Sequence, residues 1–509
     1  MSRGGGAGRR RAAAAAGALA IVLAGAAAGC GSEPAPEADL ILRNARLAPR
    51  DAKEAVPGGG AGASIALAGG RILAVGDEAT VARHRGSRTT VADLGDALVV
   101  PGLEDALARP LESGERWLND AGGGTIFLDL TAAETEEDAV QRVRQRARAL
   151  GPGVWILGSG WDPGRWVVAR PPDARLLSDI VPYNPVFLVR RGGASAWVNR
   201  KALDAAGLGP IPVPVAGADC FAILRRAPAL TADERRAAIE TALGRSVAAG
   251  VVAVRAVAST GRLGLEDRAA APGSVLDTWR DLARHGRLPV RVALLVPAPS
   301  AAAEALVAAG PESHPGSGRL EIRTLLLDAN GIDPAQGDAA WARRGAAAGF
   351  DIAVTALDTT GIDTALAWLA EARRARAATG VHLVLGAGFA FADLAIDALV
   401  GTGVEVVIEA APADVDAAAA LAGALRRAGI VVAAGTGADG PLPAAMRRYA
   451  AGPWTSTLAA GGPADFLVLP GDTGSFSSDP DRAAPLAPLA VRVGGVEVYR
   501  RGSAARPPG

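Results

Sequence analysis

Histidine is the side chain used most often for metal binding and for proton transfer near neutral pH, and this chain has four, His84, His285, His314 and His382. The pattern around the first three predicts solvated positions in a small strand region, a helix-to-strand turn and a Pro/Gly/Ser-rich loop. His382 differs because it lies in a predicted strand over 381–385. No second histidine stands beside it, so a hydrogen-bonded role at the strand end is favoured over metal binding, which takes about three protein ligands in a catalytic site.

Two aspartates, Asp328 and Asp439, stand near the ends of predicted strands. Carboxylates in such places could share the end of a barrel and do general acid–base work; hydrogen bonding to loop amides is the alternative. A serine nucleophile is not indicated, because the GSG sequence at 158–160 lacks the spacing of a nucleophile elbow. The cysteines Cys30 and Cys220 are too few for a Cys-rich zinc site or a disulfide framework.

The composition limits the class of protein. The chain has 509 residues, half of them hydrophobic, which is enough for a large core. The 53 basic residues balance the 53 acidic ones, so no nucleic-acid-binding surface is indicated and no nucleic-acid partner is expected.

Residues 1–29 resemble a bacterial lipoprotein signal. Arg9–Arg11 supply positive charge, an apolar run over 12–28 follows, and Ala27–Cys30 forms a small-residue cleavage site. The prediction is that Cys30 is lipidated, becomes the mature N-terminus and is followed by a Pro-rich tether over 30–38. This would anchor an exported protein to a membrane of the bacterial cell envelope, in the periplasm or at the cell surface. A plain secretory signal or an uncleaved anchor is the alternative.

Secondary-structure patterns predict an α/β fold. Short alternating strands follow the tether and return near the end of the chain. Between them, strand-like runs alternate with helical stretches, which is typical of a parallel (β/α) barrel. The pattern predicts helices over 136–150, 231–249 and 364–378, the second starting with a capping box of Thr231 and Glu234. Predicted barrel strands include 251–257, 319–327, 351–357, 381–385, 404–408 and 430–434.

Several ordered motifs carry a family resemblance. They are GRILAVG at 70–76, GSGWD at 158–162, the run from Pro182 to Leu208, and ADFLVL at 464–469. In this order they are similar to the signatures of amidohydrolase family 3, a branch with many exported metal-dependent hydrolases. The resemblance implies a (β/α)8 TIM-type barrel over 101–461. It also implies a small composite β-sandwich domain built from 39–100 and 462–502.

The chain departs from the family at the residues that hold the catalytic metal. The first-strand motif Asp-x-His-x-His is replaced by DALAR at 105–109, in which Asp105 is retained. By resemblance, the ligand positions of the family are occupied by Leu107, Arg109, Ala194, Thr324, Thr355 and Leu385. Leucine and alanine have no lone pair to donate, and arginine stays protonated. The family aspartate falls on Gly437 in an ungapped alignment and on Asp439 when two inserted residues are allowed.

These observations imply hydrolase ancestry without the metal site. The candidate pocket residues are Asp105, Trp161, Asp162, Asp328 and His382. The expectation is a lipoprotein whose barrel mouth binds a small molecule or an envelope protein without hydrolysing it, and no cofactor is expected. The alternative is a metal-dependent hydrolase of amide or other non-peptide C–N bonds, with zinc or another divalent metal held by an atypical set such as His382 and Asp439. A decaying paralogue, or a sequence that carries the fold without the function, is the third interpretation.

Overall fold

The computed structural model describes residues 35–47, 62–120, 127–191, 195–258, 273–314, 318–329, 339–386, 394–409, 415–436, 458–471 and 488–502. Its strands are β1 (Leu40–Leu47), β2 (Ala63–Ala68), β3 (Arg71–Gly76), β4 (Thr90–Asp93), β5 (Leu98–Pro101), β6 (Leu103–Ala108), β7 (Phe127–Asp129), β8 (Ile156–Trp161), β9 (Val186–Arg190), β10 (Ala196–Val198), β11 (Val251–Val257), β12 (Arg291–Pro297), β13 (Glu312–His314), β14 (Leu320–Asp328), β15 (Asp351–Ala356), β16 (Val381–Leu385), β17 (Glu405–Glu409), β18 (Val432–Gly435), β19 (Phe466–Leu469), β20 (Ala490–Val493) and β21 (Val496–Arg500). Its helices are α1 (Glu78–Ala82), α2 (Pro110–Asp120), α3 (Glu136–Leu150), α4 (Ala174–Ile180), α5 (Arg200–Ala206), α6 (Gly217–Leu224), α7 (Ala232–Ala248), α8 (Gly273–Arg284), α9 (Ala301–Ala309), α10 (Ala339–Ala347), α11 (Thr359–Ala375) and α12 (Val415–Arg427).

Eight parallel strands form a nearly closed barrel in the order β6-β11-β12-β14-β15-β16-β17-β18. These strands are rich in Val, Ile, Leu and Ala because their outer faces pack on helices and their inner faces fill the barrel. The junction between β6 and β18 is bridged by Asp105 on β6. Its carboxylate accepts hydrogen bonds from the backbone N–H of Thr436, at 3.1 Å, and from the Thr436 hydroxyl; Thr436 comes directly after β18. The predicted TIM-type barrel is confirmed.

Capping residues set the start of the barrel helices. Helix α3 has the predicted limits, and α7 starts after Thr231, whose capping box with Glu234 is present as predicted. Helix α11 starts five residues before the predicted position, because the Asp358 carboxylate caps it by accepting a hydrogen bond from the Gly361 N–H at 2.7 Å. Within the described ranges, no helix is both long and apolar enough to cross a membrane.

A separate four-stranded sheet is inserted between barrel strands β6 and β11. Its order is β10-β9-β8-β7, with β10 antiparallel to β9 and the other neighbours parallel. Trp161, Trp166 and Trp197 pack in its core with ring centroids 6.2 Å apart in each pair. The sequence patterns did not separate this sheet from the barrel, since its strands and helices alternate in the same way.

The two ends of the described chain build one further sheet beside the barrel. Its order is β21-β20-β19-β5-β1-β2-β3, with β4 paired to β1. Strands β5 and β19 join the two ends in an antiparallel ladder. Arg291 of barrel strand β12 donates to Asp465 at 2.6 Å, which ties this sheet to the barrel. An additional sheet domain is therefore confirmed, while the domain limits at 39–100 and 462–502 stay a prediction.

Close contact between α2 and α7 depends on Gly114. A Cβ built on Gly114 would lie 1.8 Å from the carbonyl oxygen of Ala238 on α7. Gly114→Ala is therefore expected to push the helices apart and to lower the free energy of unfolding by about 1–3 kcal/mol. Gly244→Ala on α7 is the matched control, because no atom lies within 4 Å of its added Cβ, and we expect a gain of up to about 1 kcal/mol. Equal urea midpoints for the two variants would contradict this packing argument.

Candidate functional site

Inward-facing residues divide the barrel interior into levels. Half-way along the strands they form an apolar layer of Ala106, Leu107, Val257, Leu295, Leu326, Ala353, Val384 and Val407, all buried. Layers of apolar side chains are the usual filling of such barrels. Polar side chains lie on both sides of this layer. The upper region contains Arg109, Glu112, Asp328, Thr355 and Glu409 near the C-terminal ends of the strands; the lower region contains Glu104, Arg255, Thr324, Asp351, His382 and Glu405.

Arg109 pairs with two glutamates in the upper region. Arg109 follows β6, and its guanidinium lies 3.9 Å from a carboxylate oxygen of Glu112 and 3.9 Å from one of Glu409. The three side chains are 17%, 3% and 12% exposed, respectively. These carboxylates therefore hold a permanent cation at the end of the first barrel strand.

Asp105 lies beneath this group and is fully buried at the barrel seam. Besides Thr436, it accepts a hydrogen bond from the backbone N–H of Leu107 at 3.2 Å. Burial raises the pKa of Asp105 to about 7, because it outweighs the stabilisation of the charged form by the hydrogen bonds from Thr436 and Leu107. The carboxyl group is thus hydrogen-bonded within the barrel and acts as a structural bridge between β6 and the residue after β18.

Four side chains form a hydrogen-bonded chain in the lower region, which we call the interior charge cluster: Glu104, Arg255, His382 and Glu405. Arg255 Nε donates to Glu104 Oε1 at 2.9 Å, and its terminal nitrogens donate to both carboxylate oxygens of Glu405. His382 Nδ1 lies 2.6 Å from Glu405 Oε2. Strands β6, β11, β16 and β17 each supply one member, so the cluster ties the first two strands to the sixth and seventh.

Burial and pairing oppose each other in this cluster. Burial would raise the pKa of Glu405, but the hydrogen bonds from His382 and Arg255, together with the charge of Arg255, lower it to about 2. Burial raises the pKa of Glu104 more than Arg255 lowers it. Burial also disfavours the charge on Arg255, yet the two glutamates raise its pKa above the ordinary value. Arg255 is the cation on which both carboxylates depend.

The structure distributes the five candidate pocket residues over several places. His382 lies in the lower region, Asp328 ends β14 in the upper region, and Asp105 fills the seam. Trp161 and Asp162 belong to the inserted sheet, where Trp161 is 1% exposed and its indole N–H donates to the carbonyl of Leu188 at 2.7 Å. These residues are therefore not brought together around one pocket.

The family ligand positions are also separated by the fold. Leu107 lies in the apolar layer, Arg109 and Thr355 in the upper region, and Thr324 in the lower region. Leu385 packs in the cluster between the barrel strands and the surrounding helices, outside the barrel interior. Ala194, Gly437 and Asp439 lie outside the described residues.

The described side chains do not fit a catalytic metal. A hydrolytic zinc site needs about three protein ligands and an open position for water. Across the described residues, no group of three or more His, Cys, Asp or Glu side chains is arranged to hold a metal ion. The positions that resemble the family's ligands offer leucine, arginine and threonine instead.

The interior charge cluster contains residues that sequence reasoning missed. The sequence pattern indicates Arg255 only as part of the strand 251–257 and assigns no role to Glu104 or Glu405. A signal was available: Arg255 is a charged residue in an otherwise apolar strand, VVAVRAV, and a charge inside a barrel strand requires a partner on a neighbouring strand. The identity of that partner depends on strand order, which the sequence alone did not provide.

Comparison with known proteins gives a consistent result. A model of the Amidohydrolase family matches residues 90–452. Protein LONG AFTER FAR-RED 3 of Arabidopsis thaliana is 34% identical over 145 residues, which are 28% of this chain and 23% of that protein. N-substituted formamide deformylase of Arthrobacter pascens is 26% identical over 173 residues, 34% of this chain and 30% of the enzyme. The chain thus spans less than a third of the length of either relative.

Solved structures share the architecture. An uncharacterized metal-dependent hydrolase from Pyrococcus horikoshii OT3 superposes with a TM-score of 0.56 at 16% identity, covering 81% of this chain and 85% of that one. A second uncharacterized metal-dependent hydrolase, from Pyrococcus furiosus, gives a TM-score of 0.52 at 19% identity, with 78% and 85% covered. At such identities the likeness shows the fold alone.

Proposed function

The chain belongs to the Amidohydrolase family, and from this premise we propose that it keeps the hydrolase scaffold without metal-dependent hydrolysis. It would bind a small molecule or an envelope protein at the barrel mouth and leave it chemically unchanged. The observation that carries the proposal is the ion pairing of Arg109 with Glu112 and Glu409. Arginine cannot ligate a cation, and its permanent positive charge repels one.

Two further features support a non-catalytic barrel. Leu107, at the position of the first family histidine, packs into the apolar layer, so the fold does not need a metal to occupy that place. Asp105 is engaged by Thr436 and Leu107 at the barrel seam, where it serves closure of the barrel. Without a metal-bound water of lowered pKa, a carboxylate faces ordinary water and an unpolarised carbonyl, which is a weak arrangement for amide hydrolysis.

Elemental analysis of the purified chain, residues 31–509, tests the proposal. After dialysis and incubation with zinc, we expect far less than one tightly bound metal per chain. Close to one metal per chain, together with amide hydrolysis that Asp439→Ala abolishes, would overturn the proposal and favour the metal-dependent hydrolase with an atypical ligand set. Retention of zinc by both the wild-type chain and Asp439→Ala without turnover would place a metal elsewhere and would also contradict the proposed absence of a metal site.

We also propose that the protein is an exported lipoprotein anchored to the cell envelope. The support is the sequence of residues 1–30, with its basic start, apolar run and small residues before Cys30. Cys30 lies outside the described residues. Mass spectrometry of the mature protein from membranes is expected to show an N-terminal peptide that starts at a lipid-modified Cys30; an unmodified N-terminus at another residue would rule this out.

A further inference from the structure

A cavity of about 210 Å³ opens in the lower region of the barrel. It is lined by Ala106, Arg255, Ala293, Leu295, Arg323, Thr324, Asp351, Ala353, His382, Val384 and Val407. Members of the apolar layer form its roof, so it is separated from the upper region and from the barrel mouth. An apolar cavity of roughly 150 Å³ is enough to hold benzene. The lower cavity is therefore large enough for a small organic molecule.

The walls of the cavity are apolar at one end and polar at the other. Leu295, Val384 and Val407 lie toward the roof, where they would cover an apolar body. Thr324 and His382 present hydrogen-bonding groups. Arg323 stands nearer to solvent, since 47% of its side chain is exposed. A molecule with an apolar ring and one polar end matches this division.

Charges around the cavity are paired with each other. Asp351 lies 3.4 Å from Arg323 and 3.5 Å from Arg376. On the other side, Arg255 is shared between Glu104 and Glu405. The charged residues of the cavity wall, Arg255, Arg323 and Asp351, are therefore each already paired with a neighbouring side chain. A charged ligand would lose its hydration and find its counter-ions already engaged, which disfavours it relative to a neutral ligand.

The ring of His382 defines the hydrogen bond that a neutral ligand could make. Glu405 engages Nδ1 at 2.6 Å, so Nε2 is the ring nitrogen left to meet a ligand. Depending on whether it carries a proton, Nε2 can donate or accept a hydrogen bond. The hydroxyl of Thr324 can donate as well as accept. Together they suit a polar group that carries both a donor and an acceptor.

We propose that the lower cavity is a binding site for a small neutral molecule with an apolar body and a terminal amide or hydroxyl group. This site lies below the apolar layer and does not depend on the function proposed for the barrel mouth. The elemental analysis that tests the proposed function and the ligand titration that tests the lower cavity can therefore give independent results.

Three probes of the same shape and different charge test the site: benzamide, benzoate and benzamidine. Titration calorimetry with the chain of residues 31–509 is expected to show benzamide binding with a dissociation constant on the order of 1 mM. Benzoate and benzamidine are expected to bind at least about ten-fold more weakly, because their charges have no available counter-ion. Tightest binding of either charged probe, or binding of none of the three, would overturn the proposal.

Two variants test whether benzamide binds in the lower cavity. Ala293→Leu adds bulk to a lining residue that is partly exposed, and Thr324→Val removes the hydroxyl while keeping the shape. Each is expected to weaken benzamide binding about ten-fold or more. Ala417→Leu, at an exposed position of α12, is the control and is expected to bind as the wild type does. Unchanged affinity in Thr324→Val, with its unfolding midpoint retained, would contradict binding at this site even if Ala293→Leu fails to fold.

Discussion

Arg255→Ala is expected to lower the free energy of unfolding by about 3–5 kcal/mol, the cost of breaking a buried ion pair by removing one partner. Arg255 is hydrogen-bonded to Glu104 and Glu405 inside the barrel. Its loss leaves two largely buried carboxylates next to each other, and His382 can compensate only Glu405. Urea denaturation followed by circular dichroism near pH 7 measures the effect. The loss should shrink at low pH, where Glu104 becomes protonated first because its pKa is raised.

Arg200→Ala is the matched control for Arg255→Ala. Arg200 pairs with Asp204 at 2.7 Å, but both side chains are more than half exposed, and such surface pairs contribute about 0–1 kcal/mol. The two substitutions remove the same group and differ in burial. Similar changes in the urea midpoint for both variants would show that water reaches the interior charge cluster freely, and the cluster would then not act as a cross-link between strands.

The parts of the fold set by local chemistry could be predicted from the sequence. Alternation of apolar strands and amphipathic helices predicted the barrel. The predicted limits of α3 match the structure because Thr135 caps its start and Gly151 its end. Thr231 and Glu234 gave the start of α7 for the same reason. The predicted start of α11 is too late, because the helix begins directly after its cap, Asp358.

Features that depend on long-range placement could not be predicted in the same way. His84 was expected in a solvated position of a small strand region and is 6% exposed. That prediction was wrong because the burial of His84 depends on the distant segment around Ala38, whose N–H donates to the His84 carbonyl at 2.8 Å. His382 was correctly placed in a strand, but its partner Glu405 comes from the next strand in the barrel. A motif alignment alone also cannot give the direction of a side chain, as the outward packing of Leu385 illustrates.

The described side chains fill the barrel interior by packing against and hydrogen-bonding to each other. Leu107 and its neighbours in the apolar layer fill the middle of the barrel, and hydrogen bonds from Thr436 to Asp105 close the seam. The interior charge cluster connects strands on the lower side. Each level is stabilised by contacts among side chains of the chain itself, as the proposed retention of the scaffold without metal-dependent hydrolysis requires.

Asp105→Asn is expected to make the protein about 4 kcal/mol more stable than the wild type above pH 7 and to leave its stability nearly unchanged near pH 4. The pKa of Asp105 is raised from 3.8 to about 7 in the folded state, and each tenfold change in acid strength corresponds to about 1.36 kcal/mol. Between these pH values the unfolded chain releases the proton while the folded chain keeps it. The stabilising contribution, complete below pH 3.8, is therefore lost as the pH rises through about 7.

Asparagine can keep the hydrogen bonds of Asp105, so the comparison of Asp105→Asn with the wild type isolates the effect of the charge. Its carbonyl oxygen can accept from the N–H groups of Leu107 and Thr436 in place of Asp105 Oδ1, and its amide can donate to the Thr436 hydroxyl. Glu405 does not interfere, because its lowered pKa of about 2 confines its effect to pH below about 4.5. Glu104 titrates in both proteins, and its charge repulsion with Asp105, which helps to raise the pKa of Asp105, is part of the difference that Asp105→Asn removes. Urea midpoints measured from pH 4 to pH 8 give that difference directly.

Thr436→Val tests the titration of Asp105 in the opposite direction, because it should raise the pKa of the carboxyl group instead of removing the group. The hydroxyl of Thr436 stabilises the charged form of Asp105, so its removal should raise the pKa of Asp105 further and extend the pH-dependent loss of stability above pH 7. Asp105→Asn should abolish this loss, whereas Thr436→Val should prolong it. If both variants keep the pH dependence of the wild type, Asp105 is not the group that titrates, and its carboxylate must be charged in the folded protein at neutral pH. The seam of the barrel would then be closed by an ion held by hydrogen bonds, and not by the neutral acid that the buried site favours.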